Sequence, residues 1–283
     1  MNKRPSASGA TIILILINLY LGVPILATFL FSIAGRWDST VLPESYTFHW
    51  YVQMITDPGV LAAIGRSFLV SGATVVLGLL VVTPAAFITY QFLPALKGTM
   101  RFLALLPYAL PGVILAVGLI QLYSSGPLPI AGTFWILLFS YIIVTLPFMY
   151  NAITNSLQAI DAKTLMEAAE SLGANRMAAF VQVVVPNIRP GLISAGLLTF
   201  AVSLGEFVLA NMLVGGRFQT LQLVLEKAMH IDGHLSSAMV MLYFVLVAFS
   251  SLMLIAVAQG GGQRGSRAAG RAQAGSQMTG YAQ

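Results

Sequence analysis

The chain contains no cysteine and very little charge. Of its 283 residues, 58% are hydrophobic and only 8% are charged, with a mean hydropathy of +0.86. Because soluble domains carry about 25% charged residues, these values predict an all-α membrane protein with several spanning helices and no sizeable soluble domain. The lack of cysteine excludes a disulfide framework and thiol chemistry.

Several catalytic and nucleotide-binding motifs are also missing. Without G-x-x-x-x-G-K-[ST], the chain is not expected to bind and hydrolyse ATP itself. Without H-E-x-x-H or G-x-S-x-G, it is not expected to be a metalloprotease or a serine hydrolase. His230 and His234 have a metal-ligand spacing, but no third ligand is evident, so we expect two solvated loop histidines. The sequence thus predicts no enzyme activity, no metal site and no cofactor.

Six apolar segments are long enough to cross a bilayer. They cover residues 11–34, 66–92, 102–123, 133–154, 190–213 and 237–257. Pro107 and Pro111 predict that the third span is kinked or broken near its start. A cleaved signal peptide is the alternative for the first segment, but the apolar run is longer than a typical signal core, which favours an uncleaved span.

The basic residues indicate the orientation. Six spans place both termini on one side, and that side holds ten of the 14 Lys and Arg residues, against four on the other. The positive-inside bias therefore predicts cytoplasmic termini. The predicted domains are a cytoplasmic segment 1–10, a six-span domain 11–257 and a cytoplasmic tail 258–283, whose composition is typical of disorder. The scattering of basic residues at span ends argues against nucleic-acid binding.

A charged island follows the fourth span. No Asp, Glu, Lys or Arg occurs between Arg101 and Asp161, whereas six such residues fall within 161–189. A segment of this charge cannot lie in hydrocarbon and must project into water.

The island is predicted to form two short helices. Thr164 and Glu167 fit a capping box at the start of the first helix, and Gly173 fits a left-handed helix end. Asn175 fits the cap of a second helix that should stop before Pro186. The apolar face of the first helix is predicted to contain Leu165, Ala168, Ala169 and Leu172.

These residues resemble the signature of the inner-membrane permeases of binding-protein-dependent ABC importers. That signature is E-A-A, three residues, Gly, nine residues and I-x-L-P; Val replaces Ile and Leu here. In this family the loop contains a coupling helix that docks on a separate ATPase subunit. The resemblance thus gives loop 161–189 a coupling role; the alternative is a merely solvated hairpin. The matching residues are Glu167, Ala168, Ala169, Gly173 and Pro186.

The resemblance also implies partners and a location. It implies a multi-pass subunit of a bacterial inner membrane that forms part of a pore. Its partners would be membrane lipid, ATP-binding subunits, a second permease subunit or a copy of itself, and an extracytoplasmic solute-binding protein. The connections 35–64 and 214–236 would face outward, toward that binding protein.

The substrate is predicted from the same resemblance. Most of the chain is similar to the branch that includes spermidine/putrescine permeases, so a polyamine-like solute is expected. The alternative is ferric ion, an organophosphonate or another oxyanion, since the branch includes such permeases. A lower alternative is an ion-coupled secondary transporter, which would need inverted repeats and more intramembrane ionisable groups than this chain shows.

One carboxylate, Glu206, lies inside the fifth apolar segment, next to Gly205, which could loosen the helix. A charged side chain there costs about 2.5–3.5 kcal/mol on insertion scales, so it should face the bundle interior or a water-filled path. Glu206 is therefore a candidate for lining the translocation pathway. Equally, it could be a structural acceptor for backbone N–H groups of the following loop, or a partner of Arg66.

Overall fold

The computed structural model describes residues 7–125, 127–253 and 255–256, and nearly all regular structure in them is helical. Two short strands, β1 (Ala34–Arg36) and β2 (Ser45–Tyr46), pair in antiparallel orientation. The helices are α1 (Ala7–Ser32), α2 (His49–Thr56), α3 (Pro58–Gln91), α4 (Lys97–Ala109), α5 (Gly112–Tyr123), α6 (Phe134–Ala159), α7 (Ala162–Ser171), α8 (Arg176–Ala179), α9 (Val185–Asn187), α10 (Arg189–Leu204), α11 (Val208–Leu213), α12 (Leu221–Met229) and α13 (Gly233–Met253).

The all-α, polytopic architecture that the sequence predicted is confirmed. Four helices, α1, α3, α6 and α13, are each long and apolar enough to cross a membrane. Two bent pairs raise the number to six if each pair is one span. In the first pair, the segment 94–109 and α5 meet at 101°, which confirms the predicted break, since Pro111 directly precedes α5.

Some predicted bounds differ from those observed. α3 begins at Pro58 rather than at residue 66, and α13 begins at Gly233 rather than at 237. A hydropathy pattern detects only the apolar part of a helix, and polar caps extend both helices beyond that part. The Asp57 carboxylate accepts from the backbone N–H of Gly59 (2.6 Å), and that of Asp232 accepts from His234 N–H (2.7 Å).

The fifth span is not continuous over 190–213, as it was predicted to be. α10 ends at Leu204, and α11 begins only at Val208. The bent pair that contains α10 runs from Arg176 to Leu204, with an angle of 69°. Residues 1–6 and the predicted tail 258–283 lie outside the described residues.

One compact unit contains, among the described residues, 66–219 and those from 247 to 256. Its core contains side chains of α3, α4, α6, α7 and α10. α10 packs closely on α6, because a Cβ added to Gly191 would lie 2.5 Å from Ser156 Cβ and 3.2 Å from the Ala152 carbonyl oxygen. Small residues therefore serve helix packing here. Gly72 of α3 does not, since its added Cβ meets nothing within 4 Å.

The other compact unit contains residues 7–65 and 220–246. Here the imidazole of His234 stacks on the rings of Phe31 and Trp50, at centroid distances of 4.1 Å and 5.7 Å. Its Nδ1 lies 2.9 Å from the Phe31 carbonyl oxygen. The expectation of a solvated His234 was therefore wrong, because its ring packs against the rings of Phe31 and Trp50. His230 is exposed, as expected, and lies 3.1 Å from Glu226. No group of three potential metal ligands occurs among the described residues.

Candidate functional site

α7 is anchored to its unit by one face. Ala162, Met166 and Ala169 have a helical spacing and are 0%, 0% and 8% exposed. The helix begins two residues before Thr164, after Asp161 in left-handed conformation (φ 46°). The Thr164 hydroxyl donates to the Asp161 carboxylate (2.6 Å). The predicted capping box of Thr164 and Glu167 is wrong, because the helix begins at Ala162 and Thr164 lies inside its first turn, whereas a capping box needs the threonine at the N-cap.

Beside the buried face, α7 carries an apolar stripe. Of the four residues predicted to form the apolar face of this helix, only Ala169 is buried. Ala168 and Leu172 are exposed, Leu172 to 90%, and Leu165 is half-buried. We call Leu165, Ala168 and Leu172 the α7 stripe. A leucine exposed to this degree contributes little to the core of its own chain, and an exposed apolar patch is typical of an interaction surface.

The turn after α7 is a glycine-dependent cap. Gly173 has φ +89°, as its predicted left-handed role requires. Its N–H donates to the Glu170 carbonyl (2.9 Å), and the Ala174 N–H donates to the Ala169 carbonyl (3.1 Å). This pair of bonds is a Schellman motif, which fixes the direction in which the chain leaves the helix. Asn175 then caps α8 as predicted, with its side-chain oxygen accepting from the Ala178 N–H (2.8 Å).

The second helix of the loop does not stop before Pro186. Helical structure continues from Arg176 to Asn187, and residues 180–184 form a π-helical turn. Pro186 cannot donate a backbone hydrogen bond, and the wider turn just before it lets the helix pass the proline without a break. The change of direction comes instead between Asn187 and Arg189, where the next helix begins at 69° to the first.

Arg176 is a contributor to this site that sequence reasoning missed. Its guanidinium lies 3.5 Å from the Glu170 carboxylate and 5.2 Å from the centroid of the Phe92 ring. It thereby joins the two helices of the loop across the Gly173 turn. The sequence signal that could have identified it is the placement of an acidic residue, Glu170, three residues before Gly173 and of Arg176 three residues after it.

Glu206 caps the short helix after the fifth-span break. Its Oε2 accepts from the backbone N–H groups of Leu209 (2.9 Å) and Ala210 (3.3 Å). These contacts match the structural interpretation of Glu206. Arg66 is not its partner, because it donates to the Gln219 carbonyl (3.4 Å). The predicted loosening at Gly205 is confirmed, since α10 ends directly before it. A pathway-lining role of Glu206 stays a prediction.

The helices and the loop define a class of polytopic membrane protein with an exposed helical loop between two spans. The chain belongs to the family described as binding-protein-dependent transport system inner membrane component, which matches residues 78–260. It is a permease subunit of an ABC importer, a class that works with ATP-binding subunits and a solute-binding protein. Such a subunit crosses the inner membrane several times.

Curated relatives agree with this family. A probable ABC transporter permease protein y4fN of Sinorhizobium fredii is 27% identical over 84% of this chain, and the chain spans only 42% of that relative. The putative 2-aminoethylphosphonate transport system permease protein PhnV of Salmonella typhimurium is 24% identical over 90% of this chain and 94% of its own length. The spermidine/putrescine transport system permease protein PotC of Escherichia coli is 25% identical over 75% and 79%, respectively.

Solved structures share the fold. A chain of a bacterial ABC transporter involved in import of the acidic polysaccharide alginate has a TM-score of 0.66 and 17% identity, covering 92% of this chain and 99% of that one. A chain of the MetNI methionine ABC transporter, in inward-facing conformations, has a TM-score of 0.60 and 19% identity, covering 76% and 99%.

Proposed function

We propose that this chain forms one half of the pore of an importer and that α7 docks on the ATP-binding subunit. The α7 stripe carries this proposal, because it leaves Leu172 90% exposed next to the Gly173 turn. Glu167, Ala168 and Gly173 lie on the exposed side and are available to that subunit. Ala169 and Pro186 act within the chain, by packing and by shaping the second helix.

The docked helix can pass a displacement to the membrane spans. Met166 and Ala169 belong to the same core cluster as Met149 of α6 and Ala195 of α10. Closely packed interiors transmit strain, so a movement of α7 on the ATPase is carried into these two helices. The Schellman turn and the Glu170–Arg176 contact keep the two loop helices at one angle during that movement.

The role of the angle between the two loop helices is tested with Gly173→Leu. No atom lies within 4 Å of a Cβ at Gly173, so the substitution acts through its φ of +89°, which a leucine resists by about 1–2 kcal/mol. We expect normal membrane insertion but ATP hydrolysis that no longer drives uptake. The matched control is Gly216→Leu, where the space is equally open and φ is ordinary. Full uptake by a normally expressed Gly173→Leu variant would refute the coupling role.

The docking surface is tested separately with Leu172→Ser. Removing the apolar side chain should reduce the amount of ATP-binding subunit that co-purifies with this chain. Val41→Ser is the matched control, because Val41 is 92% exposed and lies outside the loop. Equal retention of the ATP-binding subunit by both variants would contradict docking through the α7 stripe.

We also propose that both termini and loop 161–189 are cytoplasmic, within the domain division 1–10, 11–257 and 258–283. The excess of Lys and Arg on the side of the termini supports this orientation. Single cysteines at Leu172 and Ile231, which are 90% and 80% exposed, give a clean test because the chain has no native cysteine. An impermeant thiol reagent added to intact spheroplasts should label position 231 and not 172; the reverse pattern would invert the proposed orientation.

We also propose that ATP is hydrolysed by a separate ATP-binding subunit and not by this chain. The missing nucleotide-binding motif supports this. The purified chain should have no ATPase activity until an ATP-binding subunit is added, and hydrolysis by the chain alone would contradict the proposal.

The proposed cargo is a small polar solute of polyamine type. The similarity to PotC supports it, and the similarity to PhnV supports an organophosphonate as the second candidate. Competition for uptake between labelled putrescine and unlabelled 2-aminoethylphosphonate, in cells that depend on this transporter, distinguishes the two. Uptake of putrescine that is insensitive to loss of this chain would refute the first candidate.

A further inference from the structure

A polar cavity of about 240 Å³ lies between α4 and α6. α4 contributes Lys97 and Arg101, and α6 contributes Asn151, Thr154, Asn155 and Gln158. In both helices the spacing places these side chains on a single face. The cavity lies near the end of α6, a few residues before α7 begins, so it adjoins the base of the proposed coupling loop.

The cavity has the charge of an anion site. Lys97 and Arg101 both line it, whereas no carboxylate does. Within the described residues, neither cation takes part in an ion pair. The amide groups of Asn151, Asn155 and Gln158 add neutral donors. Lys97 also lies over the Tyr90 ring, 6.0 Å from its centroid. Two cations without a carboxylate partner, beside amide donors, are the usual surroundings of a bound oxyanion.

A buried hydroxyl points to a missing ligand independently of the charge. Thr154 is only 9% exposed, and its Oγ1 has no hydrogen-bond partner in the described part of the chain. Helical threonines normally satisfy this group on the carbonyl four residues back. Thr145 does so on the Tyr141 carbonyl (2.7 Å), and Thr89 on that of Ala85 (2.8 Å). Since buried polar groups are rarely left unpaired, a rotation of the Thr154 side chain toward the cavity that it lines would give this enclosed hydroxyl a partner on a bound molecule.

We propose that this cavity binds a phosphate group, and that in the membrane the phosphate belongs to the headgroup of an anionic phospholipid. Basic pockets between membrane helices on the cytoplasmic side are suited to such headgroups. The lipid source rests on the proposed cytoplasmic orientation of the loop. Beside the cavity, α4 exposes Phe102 and Leu103 to 64% and 47%, which offers an apolar surface to acyl chains.

The bound headgroup would tie α4 to the end of α6. Arg101 and Lys97 would reach the phosphate from one helix, and Thr154 and the amides from the other. The junction between α6 and α7 would then be held more firmly when the lipid is present. Anionic lipid should therefore stabilise this part of the permease and support coupling through the loop.

The test uses the full chain, purified with the subunits that accompany it, in phosphatidylcholine nanodiscs with or without phosphatidylglycerol. The measured quantity is the melting temperature, and a second arm adds inorganic phosphate at constant ionic strength. Phosphatidylglycerol should raise the melting temperature of the native protein. Arg101→Gln should weaken the apparent affinity for this lipid about tenfold, the worth of one charge-assisted hydrogen bond. Lys227→Gln, which removes a cation from another part of the chain, should keep the native affinity.

Thr154→Val separates ligand binding from folding. Valine has nearly the same shape and removes only the unpartnered hydroxyl, so the melting temperature without anionic lipid should be unchanged or higher. The shift caused by phosphatidylglycerol should be smaller than in the native protein. Phosphatidylglycerol alone acting on the native protein identifies a headgroup, and an equal effect of inorganic phosphate identifies a free anion site. The proposal would be overturned if neither phosphatidylglycerol nor inorganic phosphate changed the melting temperature. It would also be overturned if they shifted the melting temperatures of the native protein and of Arg101→Gln equally.

Discussion

Replacing Glu206 by Gln separates the two roles that its position allows. In the structure, one carboxylate oxygen accepts from the N–H groups of Leu209 (2.9 Å) and Ala210 (3.3 Å). Glutamine keeps an acceptor oxygen at the same reach and removes only the charge. If the side chain serves the backbone of α11, the substitution should therefore weaken two bonds without removing them.

The size of the effect follows from these two contacts. A hydrogen bond to a charged group contributes about 1.5–3 kcal/mol, against about 0.5–1.5 kcal/mol for a neutral pair. The bond to Ala210 is long and the carboxylate is only half-buried, so the loss for Gln should be about 1–2 kcal/mol in total. Glu206→Ala leaves both N–H groups without the acceptor and should lose more, about 2–4 kcal/mol.

The assay pairs stability with transport. The free energy of unfolding is measured by denaturant titration in detergent, and uptake is measured in proteoliposomes that contain the assembled transporter. For Glu206→Gln we expect reduced but clear uptake. Tyr141→Phe is a matched control, because it removes the hydroxyl that donates to the backbone carbonyl of Glu206 (3.2 Å) and leaves the carboxylate intact. Abolished uptake in an assembled Gln variant, partly restored by Asp, would refute the structural role and indicate a cationic cargo.

Three further substitutions test the packing and caps. Gly191→Ala should destabilise the permease by about 1–3 kcal/mol, because the added Cβ meets Ser156 of α6; Gly72→Ala, with open space, should be neutral or stabilising, and equal unfolding free energies would contradict the close packing. Asn175→Ala should lose about 1 kcal/mol with its cap on α8, and an unchanged unfolding free energy would refute that cap. His234→Leu should lower the melting temperature by removing the ring stacking and the contact with Phe31; an unchanged value would show that neither contributes.

The exposed loop illustrates what local sequence can predict. Gly173 and Asn175 behaved as predicted, because a glycine after a helix and an asparagine before one act on groups within a few residues. The capping box failed at Thr164, because the helix begins two residues earlier, at Ala162, and the threonine is therefore not at the N-cap. The sequence pattern of α7 identified an apolar face but not which of its members are buried within the chain, and only Ala169 is.

Span ends and the proline positions show a second limit. Hydropathy located the apolar parts of α3 and α13, but the Asp57 and Asp232 caps set their actual starts. Pro111 broke the third span, whereas Pro186 did not break its helix, because a π-helical turn precedes it. The sequence alone offers no rule that separates these two prolines. The cavity with Thr154 could not be predicted from the sequence for another reason, because it forms only where residues of two helices meet in space.

The two faces of α7 are constrained by different neighbours. Ala162, Met166 and Ala169 are buried against neighbours within the same chain, whereas Ala168 and Leu172 are exposed and Leu165 is only half-buried. If α7 docks as proposed, the outer face is free to change together with an ATP-binding subunit, while the inner face keeps its fit to the spans. A chimeric permease that exchanges only the outer three residues should thus accept a foreign ATPase more readily than one in which the whole loop is exchanged.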